Sequence, residues 1–220
     1  AGQRDAEPAG GSRPTDGWGP GETVVDNYGL LVRPGTAPGE HTLRIGLYDG
    51  VTGARLGVSS AEGALGDALD LAAIRVTPPA SPPPAGALGI ETPSRARAGG
   101  LALLGHNLHR LVFDHEPLGA PQPGEGLGLV LFWERQEGET AGDALALSLR
   151  DGRGRVAWQG EMRILGGAYP PESWGPGEVV RDAQVLALPG DLAPGAYTLH
   201  LALPGEGGPG VRLQRVEISR

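Results

Sequence analysis

Apolar and polar residues alternate strictly along two stretches of the chain. In HTLRIGLY, His41, Leu43, Ile45 and Leu47 fall on one side, and in YTLHLALP the same side holds Tyr197 and three leucines. Alternation with a period of two is the pattern of a β-strand that has one buried face. The pattern therefore predicts a strand from His41 to Tyr48 and an equivalent strand that begins near Tyr197.

A second alternating stretch precedes each of these strands. Val24, Leu30 and Val32 alternate in the first copy, and Val180, Leu186 and Leu188 alternate in the second. The segments APGE and APGA lie between the two strands of each copy and are typical of tight turns. We therefore expect a β-hairpin in each copy, and further strands in the first at Arg55–Val58 and Leu69–Val76. The first strand of that hairpin is predicted to run from Glu22 to Val32.

The two stretches belong to a longer internal repeat. WGPGE occurs at Trp18 and again at Trp174, and about forty-five residues align around it without a gap, as expected for two homologous domains. TPPASPPPAG lies between the copies, and five prolines in ten residues favour a stiff, extended linker. The predicted organisation is a partial repeat at 1–79, a linker at 80–87 and a complete repeat at 88–220.

Only the second copy contains further strand patterns ahead of the shared part. They lie at Leu101–Leu104, at Leu127–Trp133, at Leu145–Leu149 and from Val156 to Trp158. With the three shared strands this gives about seven, the number expected for an immunoglobulin- or fibronectin-like sandwich. The sequence thus predicts an all-β chain of two tandem sandwich domains, of which the first is incomplete at its N-terminus.

Composition supports this interpretation and excludes several classes of function. The 39 glycines and 21 prolines lie between short apolar runs, where they suit the turns of an all-β protein. The formal net charge is −8 and every one of the 18 basic residues is arginine, so the basic patch of a nucleic-acid-binding protein is missing. Arginine in place of lysine also fits a thermophile. The absence of cysteine excludes disulfides and thiolate chemistry.

The first copy resembles the β-sandwich tail of bacterial polytopic membrane glycosyltransferases, which are similar to dolichyl-phosphate-mannose–protein mannosyltransferases. The resemblance rests on GQRDAEPAGGSRPTDGWGPGETVVDNYGLLVRPGTAPGEHTLRIGLYDGVTGARL, where His41 replaces the usual tyrosine of the pattern. The second copy keeps Trp174, Asp182 and Tyr197 but departs from the pattern at Pro204.

The resemblance implies a non-catalytic, extracytoplasmic region with no cofactor and with a role in stability, assembly or substrate presentation. Its partner would be the membrane-embedded part of the parent protein, which carries the catalytic acids in that family. A second interpretation is a secreted carbohydrate-binding or adhesive module with a glycan as its ligand. A β-sandwich hydrolase is a third, although no catalytic set of residues stands out. Fold resemblance alone does not transfer function.

Aromatic and acidic residues of the repeat are the candidates for a ligand site. Trp18 and Trp174 have the flat faces that stack on sugar rings, but each could equally anchor the loop that enters a strand. Glu22 and Asp26, like Glu178 and Asp182, are spaced by four, which in a strand places both carboxylates on one face, within reach of a cation or an arginine. Surface carboxylates or turn-capping hydrogen bonds are the alternative. The repetition of the surrounding residues favours the structural role for the tryptophans, which are then expected to be mostly buried.

Three histidines, His106, His109 and His115, lie close together in GHNLHRLVFDH. On a strand the first two point to opposite faces, so they would not share a metal ion. A loop could still gather the three histidines around a metal, with Asp114 as a fourth ligand. The sequence favours a cluster that holds no metal.

The apolar face of the incomplete copy needs a cover. Leu30, Leu43, Ile45 and Leu47 are as apolar as their counterparts in the complete copy, and an uncovered sheet face tends to associate. We therefore predict that the second domain, or a neighbouring copy of the chain in a homo-oligomer, covers these four side chains.

Overall fold

The computed structural model describes residues 2–50, 52–111, 119–138, 142–203 and 210–220. Within these ranges the regular elements are twelve β-strands, paired antiparallel throughout, and 3₁₀ turns of three or four residues. The chain is therefore all-β, as predicted. The strands are β1 Gly39–Ile45, β2 Val58–Ser60, β3 Gly63–Gly66, β4 Leu69–Val76, β5 Thr92–Ala98, β6 Leu101–Leu111, β7 Gly126–Arg135, β8 Ala144–Asp151, β9 Val156–Arg163, β10 Val179–Ala187, β11 Gly195–Ala202 and β12 Val211–Ile218.

The second copy forms two four-stranded sheets over one core. Their strand orders are β10-β7-β6-β5 and β12-β11-β8-β9. Alternate residues of both sheets, such as Leu129 and Trp133 on β7 and Leu147 on β8, are completely buried in the same cluster. The alternation that predicted these strands is thus the alternation between core and outer face. Strand β5 raises the predicted number from about seven to eight; its sequence, TPSRARA, lacks an apolar alternation that could have revealed it.

The predicted hairpin between the two shared strands is wrong. Strand β10 pairs with β7, whereas β11 pairs with β8 and β12, so the APGA turn leads from one sheet to the other. A hairpin would place both strands in one sheet with their apolar residues side by side. Instead β10 pairs with β7 over nine residues while its apolar side faces the opposite sheet across the core.

The first copy contains only the last part of this arrangement. Strands β1 and β4 form a two-stranded sheet, and β2 and β3 form a short hairpin. The predicted strands at His41–Tyr48 and Leu69–Val76 are confirmed as β1 and β4, although β1 begins two residues and ends three residues earlier than predicted. Arg55 forms an isolated bridge with Tyr48, and the strand predicted at Arg55–Val58 begins only at Val58.

The predicted strand Glu22–Val32 is wrong, since residues 22–32 carry no strand pairing. The equivalent segment of the second copy is β10, which owes its pairing to β7. Nothing in the described part of the first copy corresponds to β7. A strand pattern without a neighbouring strand cannot form a ladder, so the segment stays unpaired.

Strands β1 and β4 reproduce the register of β11 and β12. His41 lies opposite Ile74 as Tyr197 lies opposite Val216. Both pairs of strands also carry a register shift at the same point, between Leu43 and Arg44 in β1 and after Leu199 in β11. The two copies therefore share backbone geometry as well as sequence.

One turn of the first copy reaches the edge of β10. The backbone N–H of Arg181 donates a hydrogen bond to the carbonyl oxygen of Gly35, 2.7 Å away. Gly35 has a φ of +80°, and a Cβ placed there would lie 3.0 Å from the Arg181 nitrogen. Glycine is needed at this position both for its backbone conformation and for the close approach.

The predicted cover over the apolar face of the first copy is wrong within a single chain. Leu30, Ile45 and Leu47 are each about half exposed, and Leu43 is partly buried. The second copy has its own opposing sheet to cover its core, and the bond at Gly35 reaches its edge rather than this face. Cover by a neighbouring copy remains a prediction.

Candidate functional site

The second WGPGE segment is a closed turn held by its own side chains. Trp174 is 4% exposed, and its indole Nε1 donates a hydrogen bond to the carbonyl oxygen of Tyr169, 3.1 Å away. The two rings stack with centroids 6.1 Å apart. The Glu178 carboxylate accepts hydrogen bonds from the N–H of Gly175 at 2.8 Å and from the Tyr169 hydroxyl at 2.9 Å. The side chains of Trp174 and Glu178 thereby fix the turn that leads into β10.

The first WGPGE segment repeats these bonds in a more open setting. The indole Nε1 of Trp18 donates to the carbonyl oxygen of Arg13 at 3.0 Å, and Glu22 accepts from the N–H of Gly19 at 2.9 Å. The Arg13 guanidinium pairs with the Glu22 carboxylate, in the place that the tyrosine hydroxyl takes in the second copy. Trp18, however, is 38% exposed.

The expected burial of the tryptophans is therefore confirmed for Trp174 and wrong for Trp18. Trp174 belongs to the core cluster, which is built from both sheets of the complete copy. The described residues of the first copy provide no such opposing sheet, so the same turn leaves its indole beside solvent. Local sequence fixes the turn, whereas the burial of the ring depends on strands that are distant in sequence.

The aspartates four residues further on also occupy equivalent places. Asp26 accepts a hydrogen bond from the backbone N–H of Ala9 at 2.7 Å, and Asp182 accepts one from Leu165 at 3.1 Å. Ala9 and Leu165 have positive φ angles of 53° and 51°, a conformation that non-glycine residues rarely adopt. In both copies the aspartate thus holds a tight left-handed turn against the start of the following segment.

The surroundings give the two aspartates opposite titration behaviour. Asp182 is completely buried; it also accepts a bond from the Gln184 amide at 2.6 Å. Burial raises the pKa of Asp182 to about 6, although the hydrogen bonds from Leu165 and Gln184 and the nearby Trp133 indole act against this rise. The pKa of Asp26 is lowered, chiefly by the hydrogen bond from Tyr28 and then by that from Ala9.

The acidic residues spaced by four do not form a shared cation site in the second copy. Glu178 lies before β10 and uses its oxygens on Gly175 and Tyr169, while Asp182 points into the core. Across the described ranges, no group of three or more histidine, cysteine or acidic residues is placed to hold a metal ion.

The histidine cluster is divided between two faces of β6, as the spacing predicted. His106 is buried, and burial lowers its pKa, while the nearby Gln214 side chain acts in the opposite direction. His109 lies on the other side with its Nε2 3.4 Å from an oxygen of Glu91. His115 and Asp114 lie outside the described residues.

A further shared position carries a structural role that the sequence analysis did not assign. The Tyr197 hydroxyl donates to the carbonyl oxygen of Ala193 at 2.7 Å, and His41 Nε2 lies 2.8 Å from the carbonyl oxygen of Ala37. The histidine can make the same bond when that ring nitrogen carries the proton. The sequence does carry a signal for this shared role. Tyrosine in one copy is aligned with histidine in the other, and each follows an alanine by four residues.

Comparison with protein-family models finds no match to the chain, and neither does comparison with curated proteins. Among the described residues, none of the helical segments has the length and apolar character needed to cross a membrane.

Proposed function

We propose that the chain is a non-catalytic scaffold region made of two tandem immunoglobulin- or fibronectin-like β-sandwich domains, the first of them incomplete. The observation that carries the proposal is the repeated use of the same residues. In both copies the tryptophan and the glutamate bond backbone groups of their own turn, and the aspartate bonds the backbone of an earlier turn. Side chains whose polar atoms are engaged in such internal hydrogen bonds stabilise the module rather than catalyse a reaction.

The sequence resemblance described above supplies the setting of this scaffold. It supports an extracytoplasmic region of a membrane glycosyltransferase-like protein that stabilises the assembly or presents its substrate. Its partner is then the membrane-embedded part of that protein.

Immunoblotting of fractionated source cells with an antibody against these 220 residues tests this setting. The expected result is a membrane-bound polypeptide much larger than 22.6 kDa that externally added protease cleaves in intact cells. A freely soluble polypeptide inside the cells would overturn the proposal.

Carbohydrate binding is the second candidate, and the exposure of Trp18 favours it. The exposed indole is oriented by its bond to the carbonyl oxygen of Arg13, and an exposed aromatic face suits stacking on a sugar ring. Titration with mannose-containing oligosaccharides, followed by tryptophan fluorescence, tests this candidate. A saturable change that Trp18→Ala abolishes and Trp174→Phe retains would establish sugar binding, and no change would leave the scaffold role alone.

A further inference from the structure

The inner face of the β1–β4 sheet is exposed at positions that are buried in the second copy. We define this open face as Ile45, Leu47, Leu71 and Ile74. The register of the strands matches three of these residues to counterparts on β11 and β12. The exposed fraction is 47% for Ile45 against 0% for Leu201, 52% for Leu71 against 9% for Leu213, and 42% for Ile74 against 5% for Val216.

Two backbone segments beside the open face, residues 23–31 and one edge of β1, also lack the strand that pairs with their equivalents in the second copy. In the second copy every residue from Val179 to Ala187 pairs with β7, whereas residues 23–31 make no backbone–backbone hydrogen bond in the described ranges. Strand β11 pairs with β12 on one edge and with β8 on the other. Within the described part of the chain, strand β1 pairs with β4 alone, and the edge equivalent to the β8 edge is open there.

The second copy shows what fits these surfaces. In the second copy one connected unit, β6 to β8, pairs with both of the equivalent segments. Strand β7 pairs with β10 and strand β8 pairs with β11, and leucines of β7 and β8 fill the core. We propose that the open face is a docking surface for a half-module of this kind, supplied by a polypeptide outside the 220 residues. Its β7-like strand pairs with residues 23–31 and its β8-like strand pairs with the free edge of β1.

A second copy of the chain does not supply this half-module. Its own β7 and β8 already pair with its own β10 and β11. Among the described residues, the unpaired half that it can offer is another open face, which can cover this one but again lacks counterparts of β7 and β8. The required partner is therefore complementary to the first copy rather than identical to it.

The exposed apolar surface has the size of a specific interface. Thirteen large apolar or aromatic side chains of the first copy are between 38% and 81% exposed. Four of them form the open face, and all thirteen together expose on the order of 1,000 Å², compared with about 800 Å² that each partner buries in a standard interface. The matched positions of the second copy are buried, and an apolar sheet face left exposed in this way marks an interaction site.

The test supplies the half-module artificially. Residues 88–156 are duplicated ahead of residue 1, because the repeat aligns residue 1 with residue 157. The expected result is slow amide exchange over residues 23–31 and along β1, together with a several-fold loss of hydrophobic-dye binding. The control carries Leu129→Asp and Leu147→Asp in the added copy only, which retains its length but cannot enter a core. Equal exchange in the grafted chain, its control and the unmodified chain would overturn the proposal.

A cross-link makes the test independent of the stability of the graft. Thr198 lies opposite Arg150 in the second copy, so Thr42→Cys should form a disulfide with Arg150→Cys in the added segment. The mismatched combination of Thr42→Cys with Ser148→Cys should form far less. Equal cross-linking of both pairs, or of neither, would overturn the predicted docking. Concentration-dependent dimers of the unmodified chain with a protected β1 would overturn it in favour of self-association. This inference does not rest on the proposed membrane setting.

Discussion

The carboxylate of Asp182 receives the backbone N–H of Leu165 inside a core that admits no solvent. Its counterpart Asp26 receives the equivalent N–H while only partly buried, outside any two-sheet core. The same hydrogen bond therefore exists with and without a surrounding core. The hydrogen bond therefore belongs to the turn itself, whereas the burial of the carboxylate comes from the two packed sheets.

Asp182 should make stability fall as the pH rises from about 4 to about 7. Its folded-state pKa of about 6 lies above the unfolded value of 3.8, so the native state binds the extra proton. The contribution is complete below the unfolded pKa and is lost as the pH rises through 6. We expect the unfolding free energy of the wild type minus that of Asp182→Asn to fall by about 3 kcal/mol over this range. Urea unfolding at several pH values measures it.

Burial of His106 changes the pH dependence of stability in the opposite direction. The comparison of the wild type with Asp182→Asn removes this contribution. The lowered pKa of His106 means that stability is lost as the pH falls through the ordinary range of histidine. The residue is present in both proteins, so its effect cancels in the difference. A difference that stays constant with pH would show that Asp182 titrates normally.

Trp174→Ala should destabilise the two-sheet unit of β5–β12 by about 3–5 kcal/mol, because it leaves a cavity in the core and removes the bond to Tyr169. Trp18→Ala is the matched control. The exposed ring of Trp18 belongs to the other copy, so this variant should leave the unfolding midpoint of the two-sheet unit unchanged. Chemical denaturation followed by amide exchange in β7 distinguishes them, and equal effects would contradict the structure.

Tyr197→Phe should cost about 1 kcal/mol, the usual loss for one hydrogen bond, since only the hydroxyl that bonds Ala193 is removed. The ring itself remains packed in the core cluster. Tyr28→Phe, in the exposed segment of the first copy, provides the comparison and should not alter the unfolding of the two-sheet unit. An unchanged stability of Tyr197→Phe would mean that the bond contributes nothing.

Gly35→Ala should release the contact between the first copy and β10. The added methyl would meet the backbone of Arg181 and would also strain the positive φ. Amide exchange at Arg181 should accelerate, since its N–H donates to Gly35. Gly29→Ala is the control, because a Cβ there meets nothing within 4 Å. Acceleration in both variants would indicate general loosening instead.

The metal-free interpretation of the histidine cluster remains a prediction. Addition of a chelator, and then of zinc, should leave the melting temperature of the chain unchanged, because a bound metal would stabilise the folded state by mass action. A fall with chelator that zinc reverses would contradict it.

Sequence predicted the local features well and the pairing of strands poorly. Alternation located β7 and β8 because each buries one face, and the internal repeat located equivalent turns at Trp18 and Trp174. It could not show that the APGA turn changes sheets, because both arrangements bury the same alternate residues. It also predicted a strand at residues 22–32, where the pattern is present but the neighbouring strand is not. Pairing and burial depend on distant segments, which a local pattern does not record.

The register shift shared by β1 and β11 has a consequence for descent. The residues that follow the shift differ, arginine in one copy and histidine in the other, yet the strand departs from regular pairing at the same point. Two copies that arose by duplication would share such an irregularity, because the fold of the backbone carries it and neither side chain does. The shift therefore tests kinship by a criterion separate from residue identity: it marks β1 and β11 as alike at a point where their sequences differ.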